Sequence, residues 1–133
     1  MAAADTNVVL RLLLEDDDAQ TRAAGAFLRA KGPLFVSHVV LAEVVWVLTS
    51  VHGFGRADLS GFVEMLLATD GLELQDPIVV KDALEAHRSS KADFSDCLVL
   101  AIARRSGALP IGTFDRKLGQ LDGVQRVGPK ALR

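Results

Sequence analysis

Five carboxylates stand out among the 17 acidic residues of this 133-residue chain because of where they fall. Asp5 closes the short apolar run Ala2-Ala3-Ala4. Glu43 is the one charged residue in the segment 39–48. Asp93 and Asp96 open the run Asp93-Phe94-Ser95-Asp96-Cys97-Leu98, and Asp115 follows Thr113-Phe114. The three-residue spacing of Asp93 and Asp96 puts both on one helix face near its N-terminus, where carboxylates are favoured. A helix as apolar as 39–48 is expected to be buried on nearly all sides. An unpaired carboxylate inside it is costly, so Glu43 calls for an arginine such as Arg11, hydrogen bonds or a metal ion. Asp5, Asp93 and Asp115 each also suit a helix N-cap.

Carboxylates gathered in one pocket repel one another and hold some protons too tightly; a hard divalent cation removes that conflict. Mg²⁺ takes oxygen ligands, often only one or two carboxylates, and activates water for phosphodiester hydrolysis. Asp5 and Asp96 are the expected direct ligands. Glu43 and Asp115 would complete the shell, orient the attacking water or hold a second ion. Other chemistries lack their residues. His38, His52 and His87 form no H-E-x-x-H pattern and are expected at the surface or at caps, and the single Cys97 cannot build a zinc site. No phosphate-binding glycine loop and no G-x-S-x-G elbow is present. Trp46 and Phe62 read as core or interface residues.

The elements that must position these acids alternate between short apolar strands and longer helical patterns. That alternation predicts an α/β fold with a mainly parallel sheet. Strands are expected at 2–4, 34–36, 72–74, 109–112 and 124–127. Helices are expected at 8–14, with Thr6 and Asn7 as capping types, at 38–52, with Ser37 as its cap, and at 17–30, 58–68, from Asp76-Pro77 to about His87, 93–106 and 114–121. Phe62, Met65 and Leu66 share one helical face, and Gly107 ends the 93–106 helix. In open parallel sheets ligands gather beyond the carboxyl ends of the strands, so Asp5 and Asp115 are expected to converge in one crevice.

Composition narrows the class. Half the residues are hydrophobic, mean hydropathy is +0.27 and the formal net charge is −2, which excludes a disordered chain and suits a single domain over residues 1–133. No apolar run reaches the ~18–20 residues of a membrane span. The start lacks a secretory pattern, and one cysteine suits a reducing cytoplasm. The first 80 residues hold 5 Lys or Arg against 11 Asp or Glu, whereas residues 81–133 hold 10 against 6. A basic half marks either a polyanion-facing surface or a plain solvated face.

The set Asp5-Thr6-Asn7, Ala42-Glu43-Val44, Asp93-Phe94-Ser95-Asp96 and Thr113-Phe114-Asp115 resembles the PIN-domain family, in particular its VapC-like toxins of type II toxin–antitoxin pairs. The family's four acids fall on Asp5, Glu43, Asp96 and Asp115. Asp93 matches an extra acid found in part of the family, and Thr113 a small hydroxyl residue beside the last acid. The resemblance implies a three-layer α/β/α sandwich around a parallel sheet and a Mg²⁺- or Mn²⁺-dependent endoribonuclease. It also implies a homodimer and a cognate antitoxin whose tail reaches the acidic pocket. Arg88, Lys91, Arg104, Arg105, Arg116 and Lys117 then become candidates for RNA backbone contacts; Arg104 and Arg105 equally suit a helix C-terminus. Leu10, Leu13, Leu14, Phe54, Phe62 and Leu66 are candidates for a dimer or antitoxin surface. A non-toxin PIN-type nuclease in RNA processing and a non-catalytic PIN-like binding module are the rival readings. A haloacid-dehalogenase-type phosphatase would want an acid where Asn7 stands, and a receiver-like module would want paired acids at the first strand end.

Overall fold

The computed structural model describes residues 1–14 and 18–128; the expected helix start at Asp17 lies outside them. The chain divides into two compact units, Met1–Pro77 and Ile78–Arg133. In the first, β1 (Ala2–Ala3), α1 (Thr6–Leu14), α2 (Asp18–Lys31), β2 (Leu34–Val36), α3 (His38–Ser50), α4 (Arg56–Ala68) and β3 (Leu72–Leu74) follow in chain order. The strands form a parallel sheet in the order β1-β2-β3, with Ala3 opposite Phe35 and Phe35 opposite Glu73. Parallel neighbours need crossover connections, and here each is a pair of helices. Strand–helix alternation with all-parallel pairing is the α/β class that the sequence pattern predicts.

Period-two burial in the strands and helical periodicity elsewhere build the core of this unit. Leu34, Val36, Leu72 and Leu74 turn inward from β2 and β3, and Val9, Leu41, Val44, Leu48, Val63 and Leu66 are buried on the helices. The expected face of α4 is half right: Phe62 and Leu66 are buried, but Met65 is exposed. Ser37 starts α3 as expected, its hydroxyl accepting the Val40 N–H at 3.1 Å. Asp58 does the equivalent for α4, its Oδ2 accepting the Gly55 N–H at 3.1 Å, so α4 begins at Arg56 rather than at 58.

The second unit carries α5 (Pro77–Arg88, its first residue closing the first unit), α6 (Phe94–Arg105), β4 (Ile111–Thr113), a 3-10 turn at Leu118–Gln120 and β5 (Val124–Arg126). β4 and β5 pair in parallel, Ile111 opposite Val124. Pro110 offers no N–H to a ladder, and the strand starts one residue later, not at 109. The expected 114–121 helix is only the 3-10 turn. Gly119, whose missing Cβ leaves room for the Arg126 side chain, is a poor helix former at its centre. Among the described residues no helix is long and apolar enough to cross a membrane.

The end of α6 is set by Gly107 at φ +70°. The Gly107 N–H reaches the Arg104 carbonyl at 3.2 Å and the Ala108 N–H the Ala103 carbonyl at 2.8 Å, the paired bonds of a Schellman cap. No atom lies within 4 Å of where a Cβ would stand on Gly107, so a side chain there meets only backbone strain. Gly107→Ala is therefore expected to destabilise the protein by about 1 kcal/mol, read as a lower urea midpoint with an unchanged slope.

Candidate active site

Asp5 leaves the end of β1, where the Ala4 N–H still bonds the Phe35 carbonyl at 3.0 Å. Its side chain is exposed and caps α1: Oδ1 accepts the Val8 N–H at 3.0 Å, and the Asp5 carbonyl accepts the Val9 N–H at 3.1 Å. The helix therefore starts at Thr6, and Thr6 and Asn7 are its first residues rather than its caps. Both the strand-end and the capping roles of Asp5 hold at once.

Glu43 is exposed, not buried. Helix α3 buries Leu41, Val44, Val45 and Leu48 and leaves Val39, Glu43, Trp46 and Ser50 outward, a stripe at spacings of four, three and four residues. The apolar stretch covers more than one face of the helix, and the carboxylate belongs to the wet one. Its charge needs no buried partner, so the desolvation reasoning for a metal or an arginine at Glu43 falls away. The Nε of Arg11, the partner considered for it, donates to Gln20 Oε1 at 2.7 Å.

The second unit brings three acids into one electrostatic field. Asp93 holds the N-cap position of α6, but its side chain makes no cap hydrogen bond; only its carbonyl accepts, from the Cys97 N–H at 3.0 Å. Asp96 lies half-buried in the first turn, between buried Phe94, Cys97 and Leu98. Burial raises its pKa above the ordinary 3.8, and the negative charges of Asp115 and Asp93 push it the same way. Asp115 is held by its neighbours: its N–H donates to Thr113 Oγ1 at 3.0 Å, and its Oδ1 accepts the Leu118 N–H at 2.8 Å. Thr113 thus fixes the loop that carries Asp115.

This donor set is all carboxylate oxygen. Cys97 and His87 are buried, and His38 contacts the Gln75 carbonyl through Nε2 at 2.9 Å. Among the described residues no group of three or more His, Cys, Asp or Glu side chains is placed to hold a metal ion. A hard cation bound through one or two carboxylates and its own waters needs no such cage. A half-buried carboxylate destabilised by two neighbouring negative charges is the kind of group that such a cation relieves, and in that respect the residues present fit one.

The family model for the PIN domain matches residues 2–124. This chain belongs to the PIN domain family. A relative from Aquifex aeolicus (strain VF5), named VapC ribonuclease, is 26% identical over 132 residues, which cover 97% of each chain. No solved structure matches the chain.

Within this PIN domain the six basic candidates, Arg88, Lys91, Arg104, Arg105, Arg116 and Lys117, are all exposed. Arg104 also has a structural task, its Nη2 donating to the Asp122 carbonyl at 2.8 Å. Two expectations about other side chains are corrected. His87, expected at the surface or a cap, is 3% exposed, its ring edge-on to Phe94 with centroids 5.9 Å apart. Trp46, read as core or interface, is not in the core: it is 63% exposed. Of the apolar surface candidates, Leu10, Phe62 and Leu66 are buried, while Leu13, Leu14 and Phe54 are half-buried. Leu13, Leu14, Phe54 and Phe62 line an open groove of about 510 Å³ with Met65 and His52.

The state of Asp96 has a measurable consequence for the metal-free PIN domain. Its folded-state pKa lies above the unfolded value, so stability falls as pH rises through the interval between the two and stays lowered above it. Asp96→Asn cannot ionise and removes that penalty. In chelator at pH 7 the variant is expected to melt above the wild-type protein, with the difference vanishing below pH ~3, where both side chains are neutral. A lower melting point for Asp96→Asn at pH 7 would show that this charge is not penalised.

Proposed function

We propose that residues 1–133 act as a single PIN nuclease domain, a divalent-metal-dependent endoribonuclease that serves as the toxin of a type II toxin–antitoxin pair in the cytoplasm. The observation that carries this reading is the field that Asp93 and Asp115 impose on half-buried Asp96. Membership of the PIN family supports it, as does likeness along nearly the whole chain to a protein named VapC ribonuclease.

Asp5 and Asp96 are the direct ligands in this reading, with Glu43 and Asp115 completing the site and Asp93 adding charge. Mg²⁺, or Mn²⁺ in its place, activates water and offsets charge on the phosphate when bound. Thr113 holds the backbone of Asp115, and Thr6 and Asn7 continue the helix turn that Asp5 caps. Arg88, Lys91, Arg105, Arg116 and Lys117 attract the RNA backbone without reading its sequence. The protein acts as a homodimer, and the groove lined by Leu13, Leu14, Phe54 and Met65 receives the cognate antitoxin.

The test is cleavage of a structured RNA by the purified protein with Mg²⁺ or Mn²⁺ and then with chelator. Chelator is expected to abolish cleavage. Asp5→Asn and Asp96→Asn are each expected to lower it at least ~100-fold, the scale of losing a charge-stabilising group. Asparagine keeps the cap on α1, whereas Asp5→Ala also loses about 1 kcal/mol of stability; the contrast separates the two roles of Asp5. Cleavage that survives chelator, or full activity in both asparagine variants, would overturn the proposal.

A further inference from the structure

Arg126 stands on β5, outside the six basic candidates for RNA contacts, and differs from all of them in being half-buried. Its register partner on β4 is Thr113, and the next residue, Val127, donates its N–H to the Thr113 carbonyl at 2.8 Å. Register partners on neighbouring strands share one face of the sheet, with the strands ~4.8 Å apart. Here that face is the half-buried one, which also carries Ile111 and Val124. The Arg126 side chain runs over the 3-10 turn. Its Cγ and Cδ fill the space that a Cβ on Gly119 would occupy, and its Nε lies 3.6 Å from that point. Gly119 in turn donates its N–H to the Asp115 carbonyl at 3.0 Å. Arg126 is thus flanked by Thr113 and Gly119, the residues that bond the backbone of Asp115 on either side.

Gly119 lies outside the left-handed region, so its backbone alone would accept any side chain. What excludes one is the arginine stem. Burying a stem is no reason for a cation, since Leu or Met would fill the same notch without a charge. Yet among the described residues the Arg126 guanidinium has no hydrogen-bond acceptor and no carboxylate partner. Asp115 does not pair with it, and spends Oδ1 on the Leu118 N–H instead. An arginine with a seated stem and unmatched N–H donors is a preorganised fork for phosphate oxygens. Seating the stem beforehand also lowers the entropy lost on binding. Because the guanidinium leaves Asp115 unneutralised, the turn offers both signs of charge, a carboxylate for a cation and a fork for an anion. The anion that a nuclease holds beside its acids is a phosphodiester.

We propose that Arg126 is a substrate-binding residue whose guanidinium takes a phosphate of the RNA strand, and that position 119 is glycine in order to seat it. This rests on the nuclease reading above and adds to it a residue that grips the strand at a fixed point, where Arg116 and Lys117 only attract it.

The test uses the Asp96→Asn protein, expected to bind RNA without cutting it, titrated with a short oligouridylate from about 50 to 200 mM KCl. Adding Arg126→Met keeps the stem and removes the charge. Affinity is expected to fall at least ~tenfold and the slope of log affinity against log salt to shrink by about one, with the melting temperature unchanged. Arg126→Lys keeps the charge without the fork, so the slope is expected to stay while part of the affinity goes. Gly119→Ala unseats the stem and is expected to weaken binding about as much as Arg126→Met, yet to cost binding nothing further in the Arg126→Met background. Unchanged affinity and salt slope in a folded Arg126→Met protein would overturn the proposal. So would a Gly119→Ala loss that is the same with and without Arg126, which would tie the glycine to the Asp115 turn alone. Equally tight binding of polyglutamate, lost in Arg126→Met, would overturn it by assigning the guanidinium to carboxylates. If the wild-type protein cleaves no RNA, the nuclease reading fails, and the salt slope still decides whether Arg126 holds a phosphate.

Discussion

Three negative charges around one half-buried helix turn set the electrostatics of the second unit. Asp93 and Asp96 are on the first turn of α6, and Asp115 adds its field to Asp96. The N-terminal end of a helix offsets part of one negative charge, about half an elementary charge at most, and cannot neutralise three. The elements that carry Asp96 and Asp115 are held in place. Phe94, Cys97, Leu98 and Ala101 lock α6 into its core, and the Thr113 hydroxyl together with the bond from Leu118 fixes Asp115. Burial first, and then the charges of Asp115 and Asp93, hold the Asp96 carboxyl above its ordinary pKa, a penalty that a proton or a cation relieves.

The acids also help to build the elements they sit on. Asp5 spends Oδ1 on the Val8 N–H and Asp115 spends Oδ1 on the Leu118 N–H. A capping carboxylate has a second oxygen, so anchoring the backbone and presenting charge do not compete. Asp93 divides the work differently, since its side chain makes no cap bond although it occupies the cap position. For Asp5 and Asp115 a structural role and the proposed functional one are therefore compatible, since one carboxylate offers two oxygens.

That sharing explains what could be read from the sequence. Asp5 at the end of β1, Ser37 opening α3 and Gly107 closing α6 were all legible, because caps and strand ends depend on short-range chemistry. The exposure of Glu43 was not read, because counting apolar residues in 39–48 does not say which stripe faces water; the spacing of Val39, Glu43, Trp46 and Ser50 does. His87 was misplaced for the converse reason. Val80, Ala83, Leu84 and His87 share a helical stripe, and the stripe outweighs the polarity of one imidazole. The short 3-10 turn in place of a 114–121 helix depended on Gly119 and on the fit of Arg126 from β5, a tertiary contact that no local pattern carries.

The distribution of charge carries the proposed chemistry one step further. The acids of the second unit attract a cation and repel RNA, yet they lie in the half of the chain with an excess of Lys and Arg. Asp115 is followed at once by Arg116 and Lys117, and Asp93 is preceded by Lys91 and Arg88. Basic residues so near would weaken a site meant to hold only a cation, and acids so near would weaken a site meant to hold only a polyanion. The combination makes sense for a surface that binds both. In the proposed reading, a cation covering the carboxylates would leave Arg116 and Lys117 as net positive charge for the phosphate backbone, and metal and RNA would strengthen rather than oppose each other's binding.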